Sequence, residues 1–157
     1  MADFVLNGAQ ISVDLPAGTP LIDVLRGHVG LLGTRFGCGS ELCGSCMVLV
    51  DGKAQYSCTL ALDAAAGCTI CTIEGLGTPE APHPVQSALL TAQAGQCGFC
   101  LSGIVISAAA LLAANPDPSE TEIRAALDRN LCRCGAHNRI VRAVKDAAAL
   151  LRGEDRP

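Results

Sequence analysis

The sequence predicts an α+β chain: a small mixed sheet packed on one helix, followed by a bundle of four helices. Three observations carry this expectation. Asn7-Gly8 and Asp51-Gly52 each separate two short apolar runs, the strongest hairpin signal a single sequence offers. From Pro84 onward the chain becomes rich in Ala and Leu, with helix caps and stops in register. Between the halves, Gly75-Leu76-Gly77-Thr78-Pro79 through Pro82-His83-Pro84 is the one stretch with enough Gly and Pro to form a linker. We expect a first domain over residues 1–76, a linker over 77–84 and a helical domain over 85–157.

The elements follow in order. Phe4-Val5-Leu6, the Asn7-Gly8 turn and the alternating Ile11, Val13 and Leu15 predict the first hairpin. Thr19 reads as an N-cap with Pro20 at the first helical position, and Leu21, Ile22 and Leu25 supply one apolar face of a helix ending near 27–30. Residues 47–50 and 53–57 repeat the hairpin signature about Asp51-Gly52, and 68–73 reads as a further strand. Helices are predicted over 85–94, 102–114, 120–129 and about 137–152. The third opens on a capping box, Ser119-Glu120-Thr121-Glu122, after Asn115-Pro116-Asp117-Pro118 has stopped the second. Four helices of this length suggest a bundle.

A chain of 157 residues with 50% hydrophobic content can bury a core as one domain or two small ones, and metal would supply stability that small domains lack. With 3% aromatic residues and no Trp, stacking on bases is poorly provided for, and a net charge of −4 argues against a phosphate-binding surface. No nucleic-acid partner is expected. Residues 1–14 show no basic segment followed by an apolar core, and no apolar run reaches the 18 residues of a membrane span. The expectation is a cytoplasmic protein without direct membrane insertion, in whose reducing surroundings dense cysteine usage points to metal rather than disulfides.

Eight of the ten cysteines form two sets of four. Cys38, Cys43, Cys46 and Cys58 run C-x4-C-x2-C with a fourth Cys eleven residues on, and the opening is the plant-type spacing for a 2Fe-2S cluster. The loop from Arg35 to Cys46 also holds three glycines, which let backbone N–H groups approach sulfur closely. Zinc uses the same thiolates, but this is not a usual zinc spacing. Cys97, Cys100, Cys132 and Cys134 pair a C-x2-C with a C-x-C, and the spacing lets both sulfurs of each pair reach one metal. The two segments flank helices, so two interhelical turns at one end of a bundle would bring the four thiolates together. Two metal centres on one short chain suggest a path for electrons.

Cys68 and Cys71 form another C-x2-C, yet they sit in a strand pattern, where residues three apart face opposite sides of the sheet. We read at least one as a small buried hydrophobe. His28, His83 and His137 stand singly and read as capping or surface residues, His83 as a linker element between two prolines. Arg133, between two thiols, could balance their negative charge or pair with a surface carboxylate. There is no G-x-S-x-G elbow, and Gly75-Leu76-Gly77 lacks the further glycine and βαβ setting of a dinucleotide fingerprint.

Gln96-Cys97-Gly98-Phe99-Cys100 with Asn130-Leu131-Cys132-Arg133-Cys134-Gly135 is a rare combination. Together with the first set it resembles the small iron-sulfur subunit of the xanthine oxidase family of molybdenum hydroxylases, over about 4–151. Within that family Gly75-Leu76-Gly77 and His83-Pro84-Val85-Gln86 look most like the separate small subunits of bacterial nicotinate dehydrogenases and isoquinoline 1-oxidoreductases. The resemblance implies a β-grasp ferredoxin domain and a four-helix domain, each binding a 2Fe-2S cluster. It implies a large partner subunit with a molybdopterin cofactor, usually the cytosine dinucleotide form in bacteria, where an N-heteroaromatic (nicotinate-like) or aldehyde substrate is hydroxylated with oxygen from water. Electrons would pass through the helical-domain cluster and then the ferredoxin-type cluster to an FAD subunit or a cytochrome c subunit. Gln96 and Cys134 correspond to the residues that lie against the pterin.

Two positions depart from the family pattern: Glu41 stands where many relatives have Gly, and Gly135-Ala136-His137 where many have Thr-Gly-Tyr. No FAD- or molybdenum-binding region is visible, so substrate and acceptor chemistry are expected on other chains, and no catalytic residue is expected on this one. The competing expectations are a free-standing two-cluster ferredoxin carrying electrons between enzymes and, more weakly, a zinc-stabilised interaction module.

Overall fold

The computed structural model describes residues 1–154, so positions 155–157 of the predicted helical range lie outside the described residues. Five strands, β1 (Ala2–Leu6), β2 (Ala9–Val13), β3 (Met47–Val50), β4 (Lys53–Tyr56) and β5 (Thr69–Cys71), form one sheet in the order β2-β1-β5-β3-β4. β5 runs parallel to β1 and antiparallel to β3. Both hairpins close as predicted, through two-residue turns that need φ > 0 at each position. Asn7 and Gly8 take φ of 50° and 83°, and Asp51 and Gly52 take 49° and 77°. The registers pair Leu6 with Ala9 and Val50 with Lys53, leaving only those turn residues outside the ladders.

α1 (Leu21–Asp23) continues as a π-helical segment (Val24–Val29) and packs on the sheet. Its Leu21, Val24 and Leu25 join Phe4, Leu6, Val13, Val48 and Ile70 in one buried core. The helix starts one residue later than the sequence predicts, with Pro20 as the cap and no side chain satisfying the first N–H groups. Backbone does that work instead: Leu21 N–H donates to Leu60 O at 2.8 Å and Ile22 N–H to Ser57 O at 3.0 Å. Gly30, at φ 85°, closes the far end within the predicted 27–30 window. The result is a β-grasp half in which the sheet wraps one helix.

The predicted strand at 68–73 is shorter than expected, because the chain leaves the sheet at Thr72 and Ile73 opens a short helix, α2 (Ile73–Leu76). The reason is packing: Ile73 and Leu76, partly buried, pack against the helical core rather than joining the core under the sheet. At this exit Asn7 Oδ1 accepts from Thr72 N at 2.9 Å, and Gly33 N donates to Glu74 Oε1 at 2.7 Å.

α3 (Pro84–Thr91), α4 (Leu101–Ala114), α5 (Glu120–Leu127) and α6 (His137–Leu151) form the four-helix half. His83 proves to be the α3 cap, its Nδ1 accepting from Val85 N at 3.2 Å while Gln86 Oε1 accepts from His83 N at 2.8 Å. The predicted box opens α5: Ser119 N donates to Glu122 Oε2 at 2.7 Å and Glu122 N to Ser119 Oγ at 3.3 Å. Val85, Leu89, Ile104, Ile123, Ile140 and Val144 fill the centre, each worth about 1.5–3 kcal/mol when fully buried. α4 is the most apolar helix and lies inside the protein; among the described residues no helix is long and apolar enough to cross a membrane.

The halves meet where α4 crosses the loop before β3. Gly103 lies so close to Gly44 that a Cβ on it would stand 1.9 Å from the Gly44 carbonyl oxygen. Ser102 Oγ donates to Ser45 O at 3.5 Å, Asn130 Nδ2 to Gly44 O at 3.2 Å, and Leu131 N to Cys43 O at 2.9 Å. Arg129 sits 4.4 Å above the Tyr56 ring and donates from Nε to its hydroxyl at 3.1 Å. Gly103→Ala must therefore push the halves apart, and we expect a loss of about 1–3 kcal/mol, seen as a lower urea midpoint; an unchanged midpoint would show that the contact can yield.

Candidate metal centres

The first thiol set lies on the loop between the π-helical segment and β3, with Cys58 just past β4. The hairpin β3-β4 brings the two parts together: Cys46 O accepts from Ser57 Oγ at 2.7 Å and from Ser57 N at 3.2 Å. Cys38 is exposed, Cys43 half-buried, and Cys46 and Cys58 are buried. The loop wraps its own sulfurs with backbone donors. Ser40 N and Leu42 N point to Cys38 Sγ at 3.4 and 3.3 Å, and Cys38 N points to Cys43 Sγ at 3.4 Å. Gly37 permits this, since a Cβ there would lie 2.6 Å from Cys43 Sγ.

These surroundings push the thiols in opposite directions. The Ser40 N–H, with smaller help from those of Leu42 and Cys43, draws the Cys38 thiol down to about 6. Burial pushes Cys46 up to about 11, and its side-chain hydrogen bond with Cys58 adds to the rise. Without a cation, a thiol raised by burial, as Cys46 is, holds a proton that a metal would displace.

The second set occupies two turns. Cys97 and Cys100 directly precede α4, and Cys132 and Cys134 lie between α5 and α6. Both α4 and α6 begin beside these turns, so their positive N-terminal ends favour thiolate. Cys134 Sγ meets Cys97 Sγ at 3.5 Å. Burial raises the Cys100 thiol to about 12, and its hydrogen bond with Cys132 adds to that. Although the spacing suits sulfurs shared within each C-x2-C or C-x-C, the sulfur contacts run between the turns, Cys97 with Cys134 and Cys100 with Cys132. The N–H of Phe99 lowers the Cys97 thiol. For Cys132 burial is the largest influence and opposes ionisation, yet N–H groups led by that of Ala136 outweigh it and lower the thiol.

Gln96 is exposed beside this set, and its Nε2 donates to Cys134 O at 3.3 Å. Among the described residues no group of three His, Cys, Asp or Glu side chains is spaced to hold a single ion. The thiol contacts are pairwise, and a 2Fe-2S cluster divides four thiolates between two irons. All-sulfur donors with N–H groups aimed at them suit such a cluster.

Glu41 takes a left-handed conformation, φ 60°, despite not being glycine, and its carboxylate accepts from the Thr59 hydroxyl. Nothing in the sequence singled out Thr59, and the motif containing Asn130 and Leu131 gave neither a bonding role, because their partners lie far away along the chain. His28, His137 and Arg133 are exposed. Cys68 and Cys71 are half-buried; Cys68 Sγ bonds weakly to Ala64 O at 3.8 Å and Cys71 Sγ to Thr72 O at 3.5 Å. Burial raises both thiols. Replacing both with Ser should cost about 1–3 kcal/mol where a hydroxyl is left unpaired and leave iron content unchanged; loss of a cluster from folded protein would make one of them a ligand.

Residues 4–73 match the family described as 2Fe-2S iron-sulfur cluster binding domain, and residues 72–145 match the [2Fe-2S] binding domain family. The chain is 48% identical to a nicotinate dehydrogenase subunit of Pseudomonas putida over 143 residues, covering 91% of each chain. It is 46% identical to the alpha subunit of isoquinoline 1-oxidoreductase of Brevundimonas diminuta over 149 residues, 94% of this chain and 97% of that relative. Among solved structures it superposes on aldehyde oxidoreductase from Desulfovibrio gigas with a TM-score of 0.93 at 41% identity, covering 97% of this chain but 17% of that much longer one. Two domain matches that together run from residue 4 to 145, and near-full-length relatives of this kind, establish that the chain belongs to the xanthine oxidase family of molybdenum hydroxylases, as a small iron-sulfur subunit.

Proposed function

We propose that this chain is the electron-transfer subunit of a multi-subunit molybdenum hydroxylase, holding one 2Fe-2S cluster on Cys38, Cys43, Cys46 and Cys58 and another on Cys97, Cys100, Cys132 and Cys134. The observation that carries this is the junction of the two thiol-bearing loops: Leu131 N, one residue before Cys132, donates to the Cys43 carbonyl at 2.9 Å. When bound, the clusters supply one-electron carriers. The chain's own residues hold the four thiolates at each end, shield Cys46, Cys58 and Cys100 from water, and join the two loops through that hydrogen bond.

Gln96 and Cys134 form the port toward a molybdopterin cofactor on a large partner subunit, in the cytosine dinucleotide form. With its amide nitrogen engaged by the Cys134 carbonyl, Gln96 retains its amide oxygen as an acceptor for a donor on that cofactor. Substrate is hydroxylated on the partner, and the names of the relatives favour an N-heteroaromatic compound or an aldehyde. Electrons leave by the exposed Cys38 side to an FAD subunit or a cytochrome c subunit. Dense cysteine usage directed to metal rather than to disulfides suits a cytoplasmic setting. We divide the chain at 77–84, where neither helix nor strand intervenes until α3 begins at Pro84.

Iron and acid-labile sulfide are each expected at about four per chain, with two paramagnetic signals after dithionite reduction; zinc, or a single signal, would count against the reading. Gln96→Ala should retain both clusters in the assembled enzyme yet slow their reduction by substrate, because it removes a contact rather than a ligand. If that variant is reduced at the parent rate, or if the isolated chain turns over substrate unaided, the electron port at Gln96 is wrong and a free carrier becomes the better account.

A further inference from the structure

The loop between Cys38 and Cys43 depends on a backbone conformation that its own residue disfavours. Glu41 sits at φ 60°, where a side chain crowds the following carbonyl, so the turn persists only if its surroundings hold it. Two contacts meet there. Leu42, immediately after Glu41, directs its N–H at Cys38 Sγ at 3.3 Å. The Glu41 carboxylate accepts from the hydroxyl of Thr59, the residue after Cys58. The first contact needs the peptide following Glu41 to face inward, and the left-handed turn gives it that orientation. The second bond ties the loop to the end of the second hairpin, where Cys58 lies.

We propose that Glu41 is a positioning residue for the first centre: its hydrogen bond to Thr59 holds the left-handed turn that aims the Leu42 N–H at Cys38 and clamps the 38–43 loop to the end bearing Cys58. This rests on the two-cluster reading above. Hydrogen bonds to sulfur withdraw charge from a cluster and raise its reduction potential. Loss of the clamp therefore lowers the midpoint of the first cluster and loosens its hold on iron, while the second cluster, bound by the helical turns, is unaffected.

The test is a double-mutant cycle on the full chain with its clusters loaded. Thr59→Val removes the donor at nearly constant volume on an exposed surface. Glycine adopts the left-handed conformation without support, so Glu41→Gly makes the clamp unnecessary to the turn. Midpoint potentials of the two clusters and the rate of iron release to a chelator are read in the parent, both single variants and the double variant. In the Glu41 chain, Thr59→Val should lower only the first midpoint and speed iron release several-fold, whereas in the Glu41→Gly chain it should change neither. Thr59→Ser, which keeps the hydroxyl, should match the parent. Because Glu41→Gly also removes a charge, the comparison lies within each background and not between them. Equal effects of Thr59→Val in both backgrounds, or none in the Glu41 chain, would overturn the role of Glu41. A parent chain with only the second signal would instead overturn the cluster assignment on which it rests.

Discussion

The close approach of the 43–45 backbone to α4 and to the turn after α5 is the constraint on which the rest of the structure depends. Gly44 and Gly103 meet without side chains between them, and a Cβ on Gly44 would lie 2.3 Å from Arg129 O. This lets Asn130 and Leu131 bond directly to the carbonyls of Gly44 and Cys43. Two loops that each carry thiols are thereby joined by a backbone hydrogen bond from Leu131 and by the buried side-chain amide of Asn130. The Arg129–Tyr56 stack and the Arg35 guanidinium, 5.9 Å from the Phe99 ring centre, flank the junction. Electron transfer needs such a fixed separation, because its rate is set by distance and an interface free to slide would not hold it constant.

Each thiol set contains both buried and exposed members, and this asymmetry has a use. Cys38 and Cys97 are exposed and have backbone donors aimed at them, while Cys46, Cys58 and Cys100 sit inside. In the proposed assignment the buried members anchor a cluster in the fold and the exposed members face the exterior. Burial resists charge on a lone thiolate, so Cys46 and Cys100, both raised by burial, are stable as thiolates only when a cation shares the site. In that assignment metal and fold stabilise one another in both halves.

Local chemistry was legible in the sequence where it is local in the structure. Asn7-Gly8, Asp51-Gly52 and Ser119 through Glu122 act within four residues, and each forms the turn or cap its composition demands. Thr19 did not become a cap because the carbonyls of Leu60 and Ser57, remote along the chain, take the first helical N–H groups. The strand after Cys68 ended early because Ile73 found a better apolar partner in the helical core. His83 looked like a linker residue, yet its ring nitrogen lies where the first turn of α3 needs an acceptor.

By itself the sequence determined the two four-thiol sets, the hairpins, the four helices and the resemblance that placed the chain in its family, because spacing, turn residues and periodicity are properties of neighbouring positions. Tertiary structure alone decided which sulfurs meet across the helical turns, how Leu131 reaches Cys43, and why Glu41 can hold a glycine-like conformation. Those are contacts between segments 18 to 88 positions apart, on the order of what chain closure rather than local propensity must bring together. No spacing rule encodes them; they follow from where two separate cores rest against one another.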